Sequence, residues 1–141
     1  MTDTAAKSIG TDRQLFVDDF WIAESKGVSR KLHSPQKRET VLEPERPWEQ
    51  RFVSWVGTMK DGDKFKSYYR CSNLGEGNGG EITAYQESDD GIHWEKPNLG
   101  LMEYEGSKDN NIVWMSPGAN MAPFKDPNPQ VPDDERYKAI V

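Results

Sequence analysis

Val53-Ser54-Trp55-Val56-Gly57-Thr58-Met59, then Lys60-Asp61-Gly62-Asp63, then Lys64-Phe65-Lys66-Ser67-Tyr68-Tyr69-Arg70-Cys71 is the passage whose reading decides the fold. The first segment is apolar, β-branched and aromatic over the length of one strand. The Asp61-Gly62 pair signals a hairpin, because glycine accepts a positive φ without steric cost. From Phe65 the return segment alternates polar and apolar residues, which suits a half-buried pleated surface. After a glycine-rich stretch, Ile82–Glu87 reads as a third strand, Ser88–Gly91 as a turn, and Ile92–Lys96 as a short fourth strand ended by Pro97. Four strands in about 45 residues is the size of one blade of a β-propeller. The expected fold class is therefore all-β, of the propeller type.

Working outward, residues 1–13 are small and polar and read as a disordered tail. Gln14–Ile22 reads as a short strand that contains two adjacent carboxylates, Asp18 and Asp19. A carboxylate inside an apolar run must be paired, hydrogen-bonded or functional; the other reading ends the strand at Val17 and puts both acids in a turn. Ser25–Glu49 is polar, with prolines at 35, 44 and 47, and reads as a surface loop carrying an edge strand over Ser29–His33. Trp48 stands where the first blade would begin, either as a packing residue or as a ring for a ligand to stack on. Past Pro97 the chain is rich in turns. Met102–Glu105 reads as a brief strand, Ile112–Met115 as the start of a second blade, and Arg136–Val141 as a last strand. The expected organisation is a tail over 1–13 and a propeller portion over 14–141, comprising an N-terminal strand, blade one and part of blade two. Closure takes about four to eight blades, so C-terminal blades are expected to be missing, and a truncated, inactive product is one reading.

Composition agrees with this class. Of 141 residues 34% are hydrophobic, and 12 glycines and 9 prolines fit short strands and many turns. Mean hydropathy is −0.90, yet five tryptophans, five tyrosines and five phenylalanines argue against disorder. The net charge of −6 is uneven: residues 1–70 carry 13 basic and 11 acidic side chains, residues 71–141 carry 5 and 13. The acidic second half disfavours nucleic acid, which needs a basic face. Cys71 is the single cysteine, so no internal disulfide or cysteine-based zinc site forms; it reads as a small buried hydrophobe. No apolar run is long enough for a membrane helix, and the N-terminus lacks the apolar core of a secretory signal, so the expectation is cytoplasmic. The stretch at 73–80 holds four glycines but lacks the Lys-Ser/Thr and helix of a phosphate loop. His33 and His93 have no visible metal partners, and neither a metal nor a cofactor is expected.

One ordered set of motifs goes further. Leu15-Phe16-Val17-Asp18-Asp19, Pro47-Trp48-Glu49, Ser88-Asp89-Asp90-Gly91-Ile92-His93-Trp94-Glu95-Lys96-Pro97, Lys108-Asp109-Asn110-Asn111-Ile112-Val113, Phe124-Lys125-Asp126-Pro127 and Arg136-Tyr137-Lys138-Ala139 occur in that order. From residue 14 onward the chain resembles bacterial proteins related to glycoside hydrolase families 32 and 43, which are five-bladed β-propellers. The resemblance implies a sugar site at the mouth of the central channel, where the innermost strand of each blade delivers a carboxylate. Asp18 or Asp19 would match the nucleophile or base, with Asp19 preferred. Asp126 would match the aspartate that stabilises the transition state, with Lys125 in place of an arginine. Trp21, Trp48 and Lys125 would contact substrate, and the general acid would lie beyond Val141. The tryptophan-asparagine-aspartate-proline signature of invertase-type enzymes is absent. Glycosidic cleavage needs an acid and a base or nucleophile within about 5–10 Å, and a radial fold is what would bring Asp19 and Asp126 together. Asp89 and Asp90 are poor catalytic candidates, because aspartate in such a turn bonds the backbone two residues on. The implied function is binding or hydrolysis of carbohydrate; the alternative is a glycan-binding or interaction propeller without catalysis.

Overall fold

The computed structural model describes residues 8–50, 52–72, 81–115 and 121–140. The chain divides into two compact units, residues 1–37 and 38–141. Among the described residues, all strands lie in the second. They are β1 (Phe52–Asp61), β2 (Lys64–Ser72), β3 (Glu81–Ser88), β4 (Ile112–Met115), β5 (Ala122–Lys125) and β6 (Tyr137–Ile140). β1 to β4 form one antiparallel meander in sequence order, and β5 and β6 form a second, two-stranded sheet. The protein is thus all-β with two antiparallel sheets; among the described residues the only helical segments are short 3-10 turns at Pro47–Glu49 and Asp133–Glu135. No helix in them is long and apolar enough to cross a membrane.

The β1–β2 hairpin forms where the sequence places it. Asp61 and Lys64 are the last paired residues, and Gly62 takes a φ of 63°, the positive value a two-residue hairpin loop demands at its first position. The pairs Ser67↔Gln86, Tyr69↔Ala84 and Cys71↔Ile82 put one face of β2 and β3 on the core. That core is Trp48, Tyr69, Cys71, Ile82, Ala84 and Ile112. β1 is interrupted between Ser54 and Gly57 by a bulge, where Trp55 adopts a φ of 49° and is exposed. Left-handed backbone at a bulky residue is uncommon, and bulges are where it is accommodated.

Several expectations are corrected. Ile92–Lys96 is not a strand. The amides of Ile92 and His93 donate to Asp90 Oδ1, each at 2.8 Å, so they serve a turn, and only an isolated bridge, Glu87↔Glu95, remains. Ile112–Met115 does not open a second blade but completes the first sheet as its fourth strand, paired to β3; the second sheet begins at Ala122. Gln14–Ile22 holds no strand. Asp18 Oδ1 accepts from the Phe20 amide at 3.0 Å and Asp19 O from the Ile22 amide at 2.9 Å, a local bonding pattern that displaces a ladder. Ser29–His33 and Met102–Glu105 are likewise not strands; the latter contributes one bridge, Tyr104↔Ser107. Residues 1–7 of the expected tail, the glycine-rich stretch 73–80 and Val141 lie outside the described residues.

Candidate functional site

In the first unit, Asp18 faces its own backbone through the Phe20 amide, and Asp19 Oδ1 pairs with Arg30 Nη2 at 2.6 Å. Arg30 also donates to the Asp18 carbonyl. Phe20 and Trp21 meet edge to face, 4.7 Å between ring centroids. Asp18 and Asp19 lie in a turn, where successive side chains do not alternate between two faces as they do in a strand.

In the second unit the motif residues separate into three groups. The first is a buried polar chain in the core. Trp48 Nε1 donates to Asn111 Oδ1 at 3.0 Å, Asn111 Nδ2 donates to Tyr69 OH at 2.8 Å, and Tyr69 OH donates to Glu49 Oε1 at 2.5 Å. Glu49 Oε2 accepts from Lys96 Nζ at 2.8 Å and from the amides of Glu45 and Arg46 at 2.8 and 3.1 Å. Glu49 and its motif partner Asn111 are buried, as is Trp48, whose ring packs on Tyr104. Trp48 therefore spends its area on the core. Burial alone would raise the Glu49 carboxyl, but Lys96, Tyr69 and the two amides outweigh it and hold the group below its ordinary value. Burial, and then the Glu49 carboxylate, push the Tyr69 hydroxyl up. A charge so enclosed acts on packing and not on a ligand.

The second group is the Asp-Gly-x-x-Trp turn. Ser88 Oγ accepts from the amides of Asp90 and Gly91 at 3.2 and 2.8 Å, Asp90 Oδ2 meets His93 Nδ1 at 2.6 Å, and Trp94 Nε1 donates to the Gly91 carbonyl at 3.1 Å. Gly91 takes a φ of 78°, which favours glycine there. Asp90 is a fold residue, as its place in the turn predicts. A shallow pocket of about 200 Å³ lies beside it, and its charges are largely spent on each other: Lys64 on Glu87 at 2.9 Å and on Asp89 at 3.4 Å.

The third group is the candidate site. It sits where β1, β2, β5 and β6 come together, and its centre is Asp61, which the sequence marks only as a turn residue. Asp61 Oδ2 accepts from Lys66 Nζ at 2.6 Å and from Tyr137 OH at 2.8 Å; Asp61 Oδ1 accepts from Lys125 Nζ at 2.6 Å. Both ammonium groups also lie over the Tyr137 ring, at 5.6 and 5.4 Å from its centroid. Next along the chain, Asp126 Oδ2 pairs with Lys138 Nζ at 2.6 Å, Asp126 Oδ1 accepts from the Asn128 amide at 2.9 Å, and its own amide donates to the Arg136 carbonyl at 2.8 Å. The Lys125 bond, ahead of those from Lys66 and Tyr137, holds the Asp61 carboxyl far below its ordinary value. Lys138 and the Asn128 amide do the same, less strongly, for Asp126. Of the expected residues, Lys125 and Asp126 are here. No group of three His, Cys, Asp or Glu side chains among the described residues is placed to hold a metal ion. No family model, curated protein or solved structure matches the chain.

Proposed function

We propose that the two sheets are successive blades of a β-propeller, and that the cluster around Asp61 and Asp126 is part of a carbohydrate-binding site at the channel end of the innermost strands. The observation that carries this reading is the meeting of β1 and β5. Each is the first strand of its sheet, and their C-terminal ends join through the Asp61–Lys125 pair. In a propeller the first strands of neighbouring blades line the channel side by side, so this contact is the one the architecture requires. Closure needs further blades. At that end an exposed tyrosine ring lies among carboxylates and ammonium groups, which is a combination that holds hydroxyls by hydrogen bonds and a sugar face by stacking. Asp61 and Asp126 are both held ionised, which suits orientation of a ligand or stabilisation of positive charge. Neither carboxyl is kept protonated to act as a general acid, so hydrolysis would take that group from elsewhere, and binding is the reading favoured.

The test is an amide-resonance titration of the chain with hexosides, pentosides and hexuronides up to tens of millimolar. Perturbations centred on Asp61, Lys66, Lys125, Asp126 and Tyr137 are expected. Saturable binding that leaves those resonances unmoved, or no binding by any sugar of the panel, overturns the reading.

A further inference from the structure

The charge arrangement of this cluster narrows the ligand. Three ammonium groups, Lys66, Lys125 and Lys138, are shared between two carboxylates, Asp61 and Asp126. The carboxylates lie beneath: the Asp61 side chain is 10% exposed and that of Asp126 20%. The ammonium-bearing side chains lie above, Lys125 at 41% and Lys138 at 40% exposure. A ligand arriving from solvent thus meets positive charge first, with one positive charge in excess, beside a tyrosine that is 53% exposed. Lys125 and Lys66 each donate one of three N–H bonds to Asp61, so Lys125, the more exposed, retains donors for a second acceptor.

Resting on the carbohydrate reading above, we propose that the sugar taken here is anionic, a carboxylate-bearing residue such as a hexuronide, with its carboxylate on Lys125 and its ring against Tyr137. A charge-assisted bond is roughly twice as strong as a neutral one, and the ammonium needs no new partner ordered to receive it because Asp61 already fixes its position. A neutral sugar would leave the excess charge uncompensated.

The experiment compares methyl hexoside with the matching methyl hexuronide, which differ only in the oxidation of C6, by amide-resonance titration of the full chain at low and high salt. The uronide should bind roughly tenfold tighter, the range one charge-assisted bond provides. The gain should shrink at high salt and vanish in Lys125→Gln. That variant leaves Asp61 bonded to Lys66 and Tyr137, and an unchanged amide spectrum outside the cluster confirms that it folds. Equal binding of both sugars overturns the anionic assignment and leaves the carbohydrate reading standing. Equal perturbation of the cluster by sodium acetate and by the uronide, with no binding of the neutral hexoside, shows a carboxylate site that does not read the sugar and overturns the proposal. Binding by neither sugar overturns both.

Discussion

Replacing Lys96 by methionine tests whether the buried carboxylate of Glu49 is what organises the core. The Lys96 side chain is 7% exposed and that of Glu49 is fully buried; Lys96 Nζ bonds Glu49 Oε2 at 2.8 Å and the Glu43 carbonyl at 2.7 Å. Methionine keeps the volume and removes the charge, so Glu49 stays buried without its cation. Breaking a buried pair from one side costs about 3–5 kcal/mol. Glu49 retains donors from Tyr69 and from the Glu45 and Arg46 amides, none charged, which places the expectation at the lower end, about 3 kcal/mol. Against a whole-domain stability of about 5–15 kcal/mol that is a large loss. With a urea m value of about 1–3 kcal/mol/M it lowers the midpoint by at least about 1 M. The double variant Glu49→Gln/Lys96→Met removes both charges and should recover most of the loss, since replacing a whole pair is close to neutral. The pH dependence carries the sign. In the parent chain the folded Glu49 carboxyl is depressed below its ordinary 4.5, so it contributes stability that is present above 4.5 and lost as pH falls through the folded value. In Lys96→Met burial is opposed by less, the carboxyl shifts upward, and the deficit grows as pH rises. Urea unfolding followed by tryptophan fluorescence at several pH values measures all three. A single-variant loss under about 1 kcal/mol, or a double variant no more stable than the single, refutes the reasoning.

Three further outcomes are expected. Asp61→Asn weakens the bonds that join Lys66, Lys125 and Tyr137 across the two sheets, so amide hydrogen exchange in β5 and β6 should accelerate while the β2–β3 amides keep their protection; uniform change in both sheets would count against Asp61 as the joint. His93 sits on Asp90, which raises its pKa above the ordinary 6.5; its contribution to stability is complete below 6.5 and is lost as pH rises through the folded value. In Asp90→Asn the imidazole should titrate lower by proton NMR, and an unchanged titration would remove the pairing. Burial pushes the Cys71 thiol up to about 12, so an aromatic disulfide reagent at pH 8 should label the unfolded chain promptly and the native chain only at its opening rate; immediate labelling of native protein would contradict the buried position.

What was legible followed from local pattern. β1, β2 and β3 extend the segments Val53–Met59, Lys64–Cys71 and Ile82–Glu87 by one or two residues at their ends, because alternation and the Asp61-Gly62 signal act over a few residues. The Trp55 bulge was not legible, since Ser54-Trp55-Val56-Gly57 has the composition of an unbroken strand. Ile92–Lys96 misled for the opposite reason. Its apolar spacing serves the turn, in which Trp94 closes on Gly91. The place of β4 depends on pairing with a strand about thirty residues earlier, which no local pattern encodes; Asn111 anchors it through both Tyr85 backbone groups, its carbonyl accepting from the Tyr85 amide at 2.9 Å and its Nδ2 donating to the Tyr85 carbonyl at 2.6 Å.

The site was half legible, and the missing half shows what an ordered motif records. Lys125 and Asp126 stood out because an acid beside proline is conspicuous in sequence. Asp61 did not, because its partners Lys125 and Tyr137 are 64 and 76 positions away, and nothing nearby distinguishes it from an ordinary hairpin aspartate. Glu49 escaped in the same way, its bonds reaching Tyr69 and Lys96 across 20 and 47 positions. Yet Trp48, Glu49, Lys96 and Asn111 all belong to motifs that carried the resemblance, and the structure places them in one buried chain of hydrogen bonds. A buried polar network must be complete to be tolerated, so its members are constrained as tightly as residues that touch a ligand. Motifs of this kind therefore mark two populations at once. Burial separates them: Glu49 and Asn111 have no surface to offer, whereas Lys125 offers an exposed charge and Tyr137 an exposed ring. It is the second population that a ligand can reach.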